Sequence, residues 1–79
     1  MQEVTAKKIT MQTNFLNNLI EDRSTPKGKI KIELMMLNHL LENYDAKRSN
    51  DTRAEKEQMQ EALKKAKENI DKINSILED

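Results

Sequence analysis

One stretch limits what the whole chain can become. Ile30, Leu34, Leu37, Leu41 and Tyr44 recur at steps of four, three, four and three, the spacing of an apolar seam along one side of an α-helix. A seam of this kind must be covered by neighbours. The same stretch carries Ile32, Met35 and Met36 off the seam, so it is apolar over more of its circumference than a surface helix usually is. A central helix packed against two others is expected, with apolar surface left over.

Two further helices are predicted to cover that seam. Residues 3–22 place Ala6, Ile9, Thr13, Leu16 and Ile20 on one stripe, extended to one side by Met11, Phe15 and Leu19. Their polar face holds Lys7, Lys8, Asn14, Asn17 and Asn18, and the poor helix propensity of Asn makes this helix dependent on tertiary packing. The break DRSTP follows, with Thr25 placed to cap the next helix and Pro26 suited to its first position. The second helix is expected over 26–45. A polar break, AKRSNDTR, follows, and its Thr52 with Glu55 matches a capping box. The third helix is expected over 52–78, with Met59, Leu63, Ala66, Ile70, Ile73 and Leu77 on its seam.

The register of the three seams is mutually consistent. Reflection about residue 50 sets Leu41, Leu37, Leu34 and Ile30 opposite Met59, Leu63, Ala66 and Ile70, and reflection about residue 25 sets Ile20, Leu16, Thr13 and Ile9 opposite Ile30, Leu34, Leu37 and Leu41. Both centres fall in predicted turns. The expected fold is all-α: a single helical domain over 1–79, arranged as an up-down-up three-helix bundle. The third helix is long enough to project beyond the second, with Ile73, Ile76 and Leu77 in the overhang. An antiparallel helical hairpin with a long C-terminal helix that dimerises is the other arrangement consistent with the pattern.

Composition narrows the function. A 79-residue chain lies near the size at which one core is only marginally stabilising, so burial by self-association would help. Fourteen basic and fourteen acidic side chains give no net charge, which speaks against a whole-surface nucleic-acid binder. There is no cysteine, hence no disulfide framework, thiolate metal site or cysteine nucleophile. No apolar run approaches the ~20 residues needed to span a bilayer, and the N-terminus lacks a signal-peptide core; a soluble cytoplasmic protein is expected. Eleven Lys against three Arg, with frequent Asn, suits an AT-rich genome such as that of a phage or mobile element.

No glycine-rich phosphate loop, paired carboxylates or catalytic triad is present, so no enzymatic activity and no cofactor is expected. His39 is the only histidine and has no second ligand at metal-binding spacing. The apolar set away from the seam is the best functional lead. Ile32, Met35, Met36 and His39, extended by Met11, Phe15 and Leu40, form the surface expected to meet a protein, either another copy of the chain or a foreign partner; methionine suits such faces because it is unbranched and polarisable. A regulator, inhibitor or assembly factor would use such a face. The competing candidate is the basic cluster Arg23, Lys27, Lys29 and Lys31, placed at a helix start where backbone N–H groups favour a phosphate of a nucleic acid. The single Phe and single Tyr offer it no stacking platform.

Overall fold

The computed structural model describes residues 4–45, 47 and 50–77, with side chains described as far as Lys72. Three helices follow in order: α1 (Ala6–Glu21), α2 (Lys27–Glu42) and α3 (Arg53–Leu77). No strand occurs among the described residues. The longest dimension, 40 Å, is close to the length of α3, roughly 37 Å at 1.5 Å per residue.

The helix ends follow from particular side chains. Thr5 sits in extended conformation before α1 and its Oγ1 accepts from the Lys8 N–H at 3.2 Å. Thr52 and Glu55 form the expected capping box: the Thr52 N–H donates to Glu55 Oε1 at 2.9 Å and the Glu55 N–H to Thr52 Oγ1 at 3.2 Å. The start of α2 departs from expectation. Pro26 itself is the cap, extended at ψ 142°, and no side chain caps the helix, so Thr25 lies one position too early to cap it. Asp22 organises this turn instead, its Oδ1 accepting from the Ser24 N–H at 3.0 Å and the Ser24 hydroxyl at 2.6 Å. At the other end α2 stops at Glu42, three residues before the expected 45, because the Asn43 side-chain amide takes the His39 carbonyl at 2.8 Å.

The packing order differs from that expected. The middle helix is α1, which lies against both α3 and α2, while among the described residues α2 and α3 scarcely meet. Ala6, Ile9, Thr13 and Leu16 on α1 are wholly buried, and Ala62 and Ala66 on α3 are buried as well. Small side chains on both surfaces let α1 and α3 approach closely; the α2 seam has no such residues. Leu41, expected to face Met59, is accordingly 37% exposed. The core comprises Ala6, Ile9, Leu16, Ile30, Leu37 and Met59, with Leu34, Tyr44, Leu63, Ile20 and Ile70 packed against it.

Polar residues lock the α1–α3 contact. Asn17, expected on the polar face, is buried: its amide reaches the Ala62 carbonyl at 3.5 Å and its Oδ1 accepts from Asn69 at 3.1 Å. Asp51 joins three segments, its Oδ2 accepting from the Ala6 N–H at 3.1 Å and the Tyr44 hydroxyl at 2.9 Å. Among the described residues no buried side-chain nitrogen or oxygen lacks a hydrogen bond, as a folded core requires.

Candidate protein-docking face

α2 is buried along the line of Ile30, Glu33 and Leu37 and packs Leu34 and Leu40 against the core, while Ile32, Met35 and Met36 stand in solvent. Met35 is 70% exposed, Ile32 57% and Met36 52%. Together with Asn38, His39, Leu40 and Glu42 they line an open trough of about 560 Å³. A second depression of about 390 Å³ adjoins it, formed by Lys8, Met11, Gln12, Phe15 and Leu40. Leu40 is the shared wall and packs inward on the core. The fold thus brings Met11, Phe15, Ile32, Met35, Met36, His39 and Leu40 onto one continuous surface across α2 and the edge of α1.

Asn38, Glu42, Lys8 and Gln12 complete that surface and were not predicted to belong to it. Asn38 and Glu42 follow Met35 at helical steps of three and seven, so spacing places them beside it although their polarity points elsewhere.

A polar cluster beneath the surface ties α2 to α1. Gln12 Nε2 donates to Glu33 Oε2 at 2.7 Å and to the Glu33 carbonyl at 3.1 Å. Lys29 Nζ lies 3.3 Å from Glu33 Oε1 and 5.8 Å from the centre of the Phe15 ring. The hydrogen bond from Gln12, with help from Lys29, holds the Glu33 carboxyl below its usual 4.5 although burial opposes it. A carboxyl with a lowered folded value stabilises fully above its unfolded value and loses that contribution as pH falls through the folded one. Glu33 is therefore expected to make the protein less stable as pH drops below the usual carboxylate range. Asp22 and Glu55, lowered by the Ser24 and Thr52 hydrogen bonds, act in the same direction. Urea midpoints measured from neutral to acid pH check this, and Glu33→Gln should flatten part of the slope; an unchanged slope would contradict it.

The basic cluster is less open than its sequence suggests. Arg23, Lys27, Lys29 and Lys31 are exposed around the start of α2, which has neither a side-chain cap nor an acidic residue in its first turn. Lys29, however, is engaged by Glu33 and Phe15. Glu78 and Asp79, acids that an up-down-up course would return to this end, lie outside the described residues, as do the side chains of Ile73, Ile76 and Leu77 in the expected overhang. His39 is exposed on the trough. Among the described residues no group of three or more His, Asp or Glu is arranged to hold a metal ion, and no helix is long and apolar enough to cross a membrane.

Compared with protein-family models, with curated proteins and with solved structures, the chain finds no match in any of the three.

Proposed function

We propose that this protein is a small, non-enzymatic helical interaction module of the cytoplasm, a regulator, inhibitor or assembly factor of phage or mobile-element type, in which α1 and α3 support α2 and α2 presents the Met-rich face to a protein. An up-down-up course suits the order of the observed contacts. Along α1, Gln12 and Phe15 meet Glu33 and Lys29 in descending order on α2, while Ala6 and Glu21 meet Asp51 and Lys65 in ascending order toward and along α3.

The single observation that carries the reading is the exposure of Ile32, Met35 and Met36 beside Met11 and Phe15 on one surface. A monomer seldom leaves a contiguous apolar patch of this kind without a use for it. Burial of such side chains contributes roughly 1.5–3 kcal/mol each before ordering costs, so four of them suffice for useful affinity.

Methionine oxidation tests this directly, because peroxide attacks exposed thioethers. In dilute protein Met11, Met35 and Met36 are expected to oxidise quickly and the buried Met59 slowly. Raising the protein concentration, or adding a binding protein, should then protect Met35 and Met36. Oxidation of these two as slow as that of Met59 in dilute protein, or no protection under any condition, would contradict the reading.

The uncapped start of α2 among Lys27, Lys29 and Lys31 supports a second reading, in which the cluster contacts nucleic-acid phosphate. Binding of DNA or RNA that weakens steeply with salt and is abolished by Lys27→Glu with Lys29→Glu would favour it over the first.

A further inference from the structure

We propose that the occupant of the α2 face is a second copy of this chain, lying antiparallel to the first across a two-fold axis beside Met36. This rests on the docking-face reading above and adds the partner and its direction.

Charge carries the inference. The first half of α2 exposes Lys27, Lys29 and Lys31, its one acid, Glu33, being buried, and Glu42 closes the far end a turn beyond His39. This distribution runs against the helix's own dipole, which favours acids at the start and bases at the end. An antiparallel neighbour reverses the mismatch by laying its acidic end beside the basic one. Within the chain, α1 runs antiparallel to α2 and has the same polarity, Lys7 and Lys8 near its start and Glu21 at its end, with Glu21 paired to Lys65 of α3. The outer side of α2 has the same polarity, and among the described residues no helix lies against it.

The residue spacing makes the outer face self-complementary. Lys31, Met35, Asn38 and Glu42 follow at steps of four, three and four, so they share one flank of the exposed surface. Turned about Met36, the helix sets Met36 against Met36 of the second copy, Ile32 against its Leu40, and Lys31 within one residue of its Glu42. Lys31 and Glu42 are exposed, and neither makes an ion pair among the described residues. Two-fold symmetry makes each such contact twice and closes the assembly at two chains. A parallel pair would instead crowd the three lysines of each copy together. Such rim pairs choose orientation more than they add affinity; the apolar centre supplies the affinity.

Sedimentation of the full chain over a range of concentrations, at low salt, is the test. Two-chain mass is expected. Lys31→Glu and Glu42→Lys should each weaken the dimer about tenfold, as two rim pairs turn repulsive, and the double variant should regain it because both signs are exchanged. The chain has no cysteine, so Met36→Cys should form a two-chain disulfide readily and Ile32→Cys should not. Equal cross-linking at Ile32→Cys, or a dimer indifferent to both charge reversals, overturns the antiparallel pairing. One-chain mass at every concentration overturns the second copy as occupant; if Met35 and Met36 are then protected from oxidation by another protein, the docking-face reading survives alone, and without that protection both fall.

Discussion

Leu16→Ala is expected to cost about 2–5 kcal/mol, the range for removing a fully buried leucine whose cavity the surroundings cannot fill. Leu16 is wholly buried, on the helix that both others pack against. Small domains have only about 5–15 kcal/mol of stability in total, so the variant should be largely unfolded or melt far below the parent. Leu41→Ala is the informative comparison: Leu41 belongs to the apolar seam of α2 but lies at its rim, 37% exposed, and should cost well under the Leu16 figure. Chemical denaturation followed by helical circular dichroism measures both. A Leu41→Ala cost equal to that of Leu16→Ala would return α2 to the centre of the molecule.

Much of the fold was legible in the sequence because period and capping are local. The stripe Ala6, Ile9, Thr13 and Leu16 is buried as its spacing requires, and the Thr52–Glu55 box forms. The exposed set Ile32, Met35 and Met36 was legible too, since a second apolar stripe on an already amphipathic helix has nowhere inside a small bundle to go.

What escaped depends on which helices meet. Heptads align in several registers, so they do not show that α1 rather than α2 lies in the middle; that emerges only from α1 packing on both neighbours, with Asn17 reaching the Ala62 carbonyl. Asn17 looks like a surface residue until Asn69 and the Ala62 carbonyl are placed across from it. Glu33 likewise reads as solvent-facing, and is buried because Gln12 reaches over from α1 to bond it. Thr25 was a plausible cap whose position failed by one residue, a distinction set by the Pro26 backbone and by Asp22.

The second large effect is expected at Met36, 52% exposed in the middle of the trough. Met36→Lys places a charge where a partner's apolar side chains would sit. Burying that charge without a counter-ion costs several kcal/mol, enough to lower an association constant by a hundredfold or more at about 1.4 kcal/mol per tenfold. The side chain is on the solvent side of α2, so helicity and the unfolding midpoint of the single chain should be close to those of the parent. The decisive measurement is therefore the association constant of Met36→Lys beside the parent, by sedimentation for self-association and by titration with any protein the parent binds. Association lost with folding retained is the predicted result; the same association constant with the same helicity would contradict the claim that the outer face of α2 is where this protein meets others.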